Sequence, residues 1–243
     1  MTQQTRMSST HEQSLAIPTG GLEVRGDLRL PPAARGVVVF AHGTGSSRFS
    51  PRNRFVADVL VGAGFGTLLM DLLTRDEEAI DEQTAQLRFD IGLLAGRLVA
   101  ATEWLSQQPR TQSLPIGYFG ASTGAAAALV AAAELADLVR AIVSRGGRPD
   151  LAGSALGRVR APTMLIVGGR DEPVMALNRA AYDQLRVEKR LEIVPGATHL
   201  FEEPGALEQV ARLASEWFAR YLPGDGQRGR GANEANDVFP RSS

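Results

Sequence analysis

Residues 118–129 read YFGASTGAAAAL and place Ser122 between two glycines, with four alanines directly after the second. An apolar run precedes this segment and a stretch of helical period follows it, so the chain would turn sharply from a strand into a helix at Ser122. Side chains at Gly120 and Gly124 would collide as the helix folds back against the strand. The alanines let that helix approach a sheet closely. The segment therefore predicts a strained strand-to-helix turn that exposes the Ser122 hydroxyl.

Short apolar segments alternate with helical segments along most of the chain. Those that read as buried strands of a parallel sheet are residues 36–43, 66–72, 115–120, 139–144, 162–169 and 190–196. Residues 22–30 alternate between apolar and polar side chains, which predicts an antiparallel strand at the sheet edge. Alternating strands and helices require right-handed crossovers, with helices on both faces of the sheet. We predict an α/β fold with a doubly wound, mostly parallel sheet.

The amino-acid composition limits the kinds of molecule that the protein is expected to bind. The chain has 26 lysine and arginine residues against 27 aspartate and glutamate residues, so no net field would attract nucleic acid or an anionic membrane. The absence of cysteine excludes disulfides, thiolate nucleophiles and cysteine-based zinc sites. The polar start of the chain and the lack of an apolar run long enough for a membrane span predict a soluble cytoplasmic protein. No metal is expected, and the sequence does not indicate an oligomeric state.

The length predicts one folded domain with two disordered ends. A chain of 243 residues fits a single hydrophobic core, and no linker rich in proline, glycine and serine interrupts its middle. Residues 1–14 and 223–243 are poor in apolar side chains and are predicted to be disordered. The folded domain is therefore expected to span residues 15–222. The RGRG sequence in the tail is expected to be solvated rather than bound to RNA.

A base for Ser122 can be sought among the three histidines of the chain. A serine hydroxyl becomes a nucleophile when a histidine accepts its proton and a carboxylate orients that histidine. His11 falls in the predicted disordered N-terminus, and His42, beside the first central strand, is expected to shape a loop. His199 follows the last predicted strand, at the edge where the ligand-binding loops of such a sheet gather. We therefore predict Ser122 as nucleophile and His199 as base.

Two aspartates are candidates for the carboxylate that orients His199. Asp171 comes directly after the strand within residues 162–169, where a carboxylate would point across the loop toward His199. Asp150 lies farther from the end of the preceding strand and could instead cap a helix or pair with Arg148. Glu172 is expected to face solvent. Asp171 is the preferred acid.

Acyl transfer also needs hydrogen-bond donors for the oxygen that gains negative charge in the transition state. The backbone N–H of Thr123, directly after the predicted nucleophile, is one candidate donor. The second is expected from the loop after the first central strand, with the N–H of Thr44 as the best candidate, because Gly43 and Gly45 would give that loop unusual dihedral angles. The same loop lacks the spacing of a phosphate-binding loop.

Four motifs together resemble the α/β-hydrolases of the dienelactone hydrolase-like group. They are HGTGSS (residues 42–47), GASTG (120–124), IVGGRDEPV (166–174) and PGATHLF (195–201), and the resemblance runs from about residue 22 to residue 222. It implies the α/β-hydrolase fold, a triad of Ser122, His199 and Asp171, and chemistry that needs no cofactor. Dienelactone hydrolases proper use a cysteine nucleophile, whereas this sequence has Ser122 and no cysteine.

The resemblance implies a serine hydrolase of a small-molecule ester or lactone. A peptidase or an acyltransferase that uses the same triad is an alternative. A ligand-binding relative with weak catalysis is another, although a pure binder has no physical need for all three residues.

Access to the site can also be predicted. Residues 145–161 are too few for the helical cap domain that some relatives of this group insert at this point, so the cleft is expected to be open. Arg145 and Arg148 stand just past a predicted strand end, where a guanidinium could bind a substrate carboxylate. They could instead pair with Asp150 or face solvent. Arg48, in the loop after His42, could bind a substrate carboxylate in the same way.

Overall fold

The computed structural model describes residues 10–222 of the chain. Its strands are β1 (His11–Thr19), β2 (Leu22–Leu30), β3 (Val37–Ala41), β4 (Gly66–Met70), β5 (Ile116–Ala121), β6 (Val139–Arg145), β7 (Thr163–Gly168) and β8 (Lys189–Val194). Its α-helices are α1 (Pro51–Gly62), α2 (Arg75–Thr84), α3 (Ile91–Gln107), α4 (Thr123–Glu134), α5 (Glu172–Gln184) and α6 (Ala206–Tyr221). Short 3₁₀ segments cover Leu87–Phe89 and Pro149–Arg158.

The eight strands form one sheet in the order β1-β2-β4-β3-β5-β6-β7-β8. The strands from β4 to β8 in this order run parallel, whereas β2 pairs antiparallel with β4 and with β1. Every residue of β3, β4, β5 and β7 is buried, as expected for strands covered on both faces. The predicted doubly wound, mostly parallel sheet is therefore confirmed.

Helices cover the sheet on both faces. One buried cluster packs α3, α4 and α5 against one face, and a second packs α1 and α6 against the other. The alanine run of α4 is fully buried, so this helix lies close to the strands, as its small side chains predict. A 3₁₀ segment with a kink at Gly153 is all that connects β6 to β7, and the absence of a cap domain at this point is confirmed.

The first strand corrects the predicted domain boundary. Residues 11–14 were expected to be disordered, but they belong to β1, which pairs along its whole length with β2. Ser14 Oγ also donates a hydrogen bond of 2.7 Å to Asp27 Oδ1. The polar side chains of residues 11–14 stay exposed, so the segment is held by backbone pairing rather than by apolar burial. The rest of the predicted N-terminal segment, residues 1–9, and the predicted tail, residues 223–243, lie outside the described residues.

Candidate active site

Ser122 occupies the turn between β5 and α4 in a strained backbone conformation, with φ 52° and ψ −122°. A non-glycine residue with this positive φ is held there only when its surroundings enforce it. The neighbouring glycines explain how the turn fits. A β-carbon at Gly120 would lie 2.5 Å from Ala125 Cα, and one at Gly124 would lie 2.3 Å from the carbonyl oxygen of Ala41. The predicted tight turn is therefore present, and hydrogen is the only side chain that fits at either glycine.

His199 and Asp171 meet at the carboxyl ends of the last two strands. Asp171 Oδ2 lies 2.7 Å from His199 Nδ1, with Asp171 at the start of α5 after β7 and His199 in the loop after β8. The other candidate acid, Asp150, accepts hydrogen bonds of 2.9 and 2.8 Å from Arg148. Of the two aspartates, the structure brings Asp171 to the histidine.

The loop after β6 connects His199 to the turn at Ser122. Ser122 N–H donates to the carbonyl oxygen of Arg145 at 3.3 Å, and Arg148 N–H donates to the carbonyl oxygen of Ser122 at 3.0 Å. Between these two contacts lies Gly146, with φ +53°; a β-carbon there would lie 3.5 Å from His199 Cε1. The imidazole therefore packs on the same loop that holds Ser122. The hydroxyl of Ser122 makes no hydrogen bond within residues 10–222.

Two features hold the loop that carries His199, and no motif in the sequence indicates either of them. Thr198 N–H donates to Glu203 Oε2 at 3.1 Å. Hydrogen bonding from the Thr198 side chain, followed by that from the backbone N–H groups of Glu203 and Thr198, lowers the pKa of the Glu203 carboxyl. Phe201 has φ +57° and is fully buried. A positive φ at a large aromatic residue is a true outlier, and no local sequence signal indicates it.

The loop after β3 lies directly against the turn at Ser122. Thr44 Oγ1 lies 3.1 Å from Thr123 Oγ1, and a β-carbon at Gly43 would lie 2.8 Å from Ser122 Cβ. Gly45 has φ +64°, so a glycine does supply an unusual dihedral angle here. Thr123 is the first residue of α4, and the first N–H groups of a helix lack partners within the helix. Thr44 and Thr123, the predicted donors, thus lie side by side.

His42 holds this loop to the end of β4. Leu72 N–H donates to His42 Nε2 at 3.1 Å, and His42 Nδ1 lies 3.0 Å from the carbonyl oxygen of Gly43. These contacts require a neutral imidazole with its proton on Nδ1. Burial lowers the pKa of His42, which favours the same neutral form. His42 therefore shapes the loop, as the sequence indicated.

A cavity of about 260 Å³ opens beside Thr44 and Thr123. Its wall includes Leu72, Leu73 and Leu94, together with Glu78, Asp81, Glu82 and Arg88. Arg88 and Asp81 pair with each other at 2.6 Å, so Glu78 and Glu82 are the two further acidic groups of the wall. Burial, with repulsion from Asp71 and Glu82, raises the pKa of Glu78. The cavity next to the turn is therefore apolar in part and acidic in net charge.

The three arginines predicted to bind substrate each contact other side chains. Arg148 pairs with Asp150, which was the alternative considered for it. Arg48 pairs with Asp71 and lies 3.4 Å from Asp27. Arg145 is buried with its guanidinium beside Phe201. The structure brings none of these three guanidinium groups into the wall of the cavity beside Thr44 and Thr123.

Residues 10–222 present neither a cluster of metal-binding side chains nor a helix suited to cross a membrane. No three or more histidine, aspartate or glutamate side chains within this range are grouped so that they could hold a metal ion. No helix of the described chain has both the length and the apolar character that a membrane span requires.

Comparison with known proteins agrees with this fold. Residues 24–222 match the model of the dienelactone hydrolase family. The chain belongs to this family. A dienelactone hydrolase from Anabaena variabilis, known from its crystal structure, is 62% identical with a TM-score of 0.86, over 88% of this chain and 99% of that chain. The Pyrococcus furiosus esterase Pf2001 is 18% identical with a TM-score of 0.70, over 88% of this chain and 94% of that one, which shows a shared fold.

Curated relatives of this dienelactone hydrolase family member are longer. A Mycobacterium tuberculosis protein that is provisionally named a phosphoribosyl transferase is 59% identical over 218 residues. The match covers 90% of this chain and 48% of the relative. The chain therefore spans about half the length of the curated relatives it matches.

Proposed function

We propose that this member of the dienelactone hydrolase family is a serine hydrolase that cleaves a carboxylic ester or lactone through an acyl-enzyme. The observation that carries the proposal is the 2.7 Å contact between Asp171 and His199, beside a serine held at φ 52°. A carboxylate on Nδ1 of an imidazole leaves Nε2 free to accept a proton. A strained turn presents a serine hydroxyl to a substrate.

The first half of the reaction forms the acyl-enzyme. Ser122 Oγ attacks the carbonyl carbon of the ester while its proton passes to Nε2 of His199, and Asp171 stabilises the resulting imidazolium. The carbonyl oxygen becomes negatively charged and accepts hydrogen bonds from the N–H groups of Thr44 and Thr123. The carbon–oxygen bond to the alcohol then breaks, and the alcohol oxygen takes the proton from His199.

The second half releases the acid. A water molecule gives a proton to His199 Nε2 and attacks the acyl carbon, and the same two N–H groups stabilise the negative oxygen. The bond to Ser122 Oγ breaks, and the serine recovers its proton from His199. For a lactone the acid and the alcohol remain one molecule, the hydroxy acid. Neither half needs a cofactor or a metal ion.

A fluorophosphonate probe tests the proposal, because only an activated serine is phosphonylated by it. The wild-type protein should be labelled, and Ser122→Ala should abolish both labelling and ester hydrolysis without loss of the folded state. Ser106→Ala is a matched control, since Ser106 is a half-buried serine on α3 that donates to a backbone carbonyl. Labelling retained in Ser122→Ala would remove Ser122 from the mechanism. A wild-type protein that binds esters but is not labelled would be a ligand-binding relative.

A substrate panel separates the related reactions. Esters and lactones should be hydrolysed faster than matched peptides, and added alcohols should not compete with water as acyl acceptors. A peptide substrate that is turned over faster than any ester would identify a peptidase. Acyl transfer to the added alcohol at the expense of hydrolysis would identify an acyltransferase. Treatment with EDTA should leave the rate unchanged.

The name of the Mycobacterium tuberculosis relatives suggests a further test. Phosphoribosyl transfer would require the site to bind a pyrophosphate, and a cavity walled by Glu78 and Glu82 opposes such an anion. We therefore expect no release of pyrophosphate when the protein is incubated with phosphoribosyl pyrophosphate and nucleobases. Pyrophosphate release that survives Ser122→Ala would contradict the proposed function.

A further inference from the structure

Arg145 is a buried cation with no acidic partner among residues 10–222. It is the last residue of β6 and is 6% exposed. Among the described residues no carboxylate lies within ion-pair distance of its guanidinium. Its Nε also lacks a hydrogen-bond partner there. Burial, with a contribution from the nearby Arg52, lowers the pKa of Arg145 to about 10. A buried charge that is not paired destabilises the folded state, so its presence calls for another role.

The side chain of Arg145 bridges two parts of the structure on the α1 side of the sheet. Nη2 donates to Asn53 Oδ1 at 3.4 Å, and Asn53 is a buried residue in the first turn of α1. The guanidinium carbon also lies 5.8 Å from the centre of the Phe201 ring, a cation–π distance. Arg145 therefore connects α1 to the loop that carries His199.

Phe201 needs such support because of its backbone. Its φ of +57° is unfavourable for a bulky L-residue, and a residue persists in that region only where packing enforces it. The ring is fully buried and also lies against Gly146, where a β-carbon would be 3.4 Å from Phe201 Cε2. Phe201 N–H also donates to the carbonyl oxygen of Thr198 at 3.3 Å, so the backbone of Phe201 closes the turn that contains His199.

The backbone of Arg145 contacts the turn itself. Its carbonyl oxygen accepts the hydrogen bond from Ser122 N–H. One residue thus contacts the turn that carries the nucleophile through its main chain and the loop that carries the base through its side chain. We propose that Arg145 is a positioning residue that holds Phe201, and through it His199, in register with Ser122. This inference rests on the proposed function, in which His199 takes the proton of Ser122.

Arg145→Met tests the inference because methionine preserves apolar volume but removes the charge and the hydrogen bonds. We expect kcat per titrated active site to fall by about 10- to 100-fold, as a misplaced catalytic group would cause. The fall should be equal for a neutral ester and its carboxylate-bearing analogue, with KM unchanged. The thermal midpoint should stay the same or rise, because an unpaired buried charge is removed. A loss confined to KM for the carboxylate-bearing ester would instead make Arg145 a substrate-binding residue and overturn the inference.

Arg97 provides a matched control. It is also 6% exposed, but it pairs with Glu77 at 2.6 Å on the α3 side. Arg97→Met leaves a carboxylate unpaired, so it should lower the thermal midpoint while kcat per titrated site stays close to wild type. Arg145→Met should therefore lower kcat without lowering the thermal midpoint, whereas Arg97→Met should lower the thermal midpoint without lowering kcat. A drop in the thermal midpoint of Arg145→Met with unchanged kcat would assign Arg145 a structural role only.

Phe201→Leu gives a second route to the same test, since it removes the aromatic ring but keeps an apolar side chain. It should lower kcat about as much as Arg145→Met, and the double variant should be little worse than either single variant, because both disturb one contact. Fully additive effects would show that Arg145 does not act through Phe201.

A readout independent of hydrolysis separates this inference from the proposed function. The proton between His199 Nδ1 and Asp171 should give a low-field proton NMR signal, because it lies in a short, charge-assisted hydrogen bond. Arg145→Met should shift or broaden that signal, whereas Arg97→Met should not. If the wild-type protein is not labelled by fluorophosphonate but the signal responds to Arg145→Met, the proposed function fails and the positioning role stands. An unchanged signal in Arg145→Met overturns the positioning role.

Discussion

Asp171 Oδ2 and His199 Nδ1 lie 2.7 Å apart across the carboxyl ends of β7 and β8. The two strands are parallel neighbours over six paired positions, from Thr163 with Lys189 to Gly168 with Val194. The loops that follow them approach closely: a β-carbon at Gly168 would lie 2.5 Å from the carbonyl oxygen of Ala197. The contact between the carboxylate and the imidazole is therefore set by the register of the two strands and by a glycine that lets their loops meet.

The first prediction ranks the two aspartates. Asp171→Asn should lower kcat by about four orders of magnitude, because the amide no longer stabilises the imidazolium or the required tautomer. Asp150→Asn should change kcat little, since Asp150 pairs with Arg148 at the edge of the site. Steady-state hydrolysis of one neutral ester by both variants decides the ranking. A larger loss in Asp150→Asn would mean that the wrong acid was assigned.

The second prediction concerns the packing of the turn. Gly124→Ala should destabilise the protein by about 1–3 kcal/mol or more, because the new methyl group would overlap the carbonyl oxygens of Ala41 and His42 at 2.3 and 2.4 Å. Gly96→Ala is the control, since nothing lies within 4 Å of a β-carbon there and the residue is inside α3. That substitution should stabilise the protein by about 0.5–1 kcal/mol. Urea unfolding measures both, and equal stabilities for the two variants would contradict the close approach at Gly124.

The third prediction uses the buried imidazole of His42. Its folded-state pKa is lowered below the value of 6.5 expected in the unfolded chain, so below about pH 6.5 the unfolded chain binds a proton that the folded protein does not. The stability that the neutral imidazole contributes is therefore complete above that pH and is lost as the pH falls toward the folded-state pKa. Asp71 is the charged group that opposes this shift.

Thermal unfolding between about pH 8 and pH 5 tests this dependence. The thermal midpoint of the wild-type protein should fall more steeply with decreasing pH than that of His42→Gln, which has no group titrating at this position. Parallel pH profiles for the two proteins would show that His42 is not held in its neutral form.

The fourth prediction concerns the charge of the substrate. Glu78 and Glu82 line the cavity beside Thr44 and Thr123, so an ester that carries an ammonium group should be preferred over its carboxylate analogue. This is the opposite of the preference for anions that would follow if Arg145, Arg148 or Arg48 bound the substrate. Glu78→Gln should lower the ratio of the two kcat/KM values by about two- to fivefold, as expected for one exposed charge pair.

A control variant and a change of salt concentration test whether Glu78 causes the preference for the ammonium-bearing ester. Glu216→Gln should leave the ratio unchanged, since Glu216 pairs with Arg212 on α6, away from the cavity. High salt should weaken the preference in the wild-type protein. A carboxylate ester that is favoured in the wild-type protein and in Glu78→Gln would contradict the role of the acidic wall.

Short-range patterns were sufficient for the sheet and for the turn at Ser122. Apolar runs mark buried strands because both faces of a parallel sheet are covered. The turn needs glycines at two fixed offsets, so Gly120 and Gly124 identify it within one segment. The prediction of His199 as the base rests on elimination among three histidines and on its place after the last strand. Each of these features depends on residues that are close together in the sequence, so it can be predicted without the structure.

Residues 11–14 could not be assigned correctly in this way. Their exposed polar side chains look like those of a disordered segment, and the strand exists because β2 supplies hydrogen-bond partners along its length. The sequence already favoured Asp171 over Asp150, because Asp171 directly follows a strand. The contact itself depends on the register of β7 and β8, which brings the Asp171 carboxylate to His199 while Asp150 pairs with Arg148.

The direction of the arginine side chains could not be predicted from the sequence either. Successive residues of a strand point to opposite faces. Ser144 lies on the α4 side, where a β-carbon at Gly147 would meet its Oγ and Ala125, whereas Arg145 reaches Asn53 on the α1 side. The sequence places Arg145 at the end of a strand, but the pleat and the packing of α1 decide that its guanidinium turns away from the cavity. Charge is visible in the chain, while the partner of each charge depends on segments that only folding brings together.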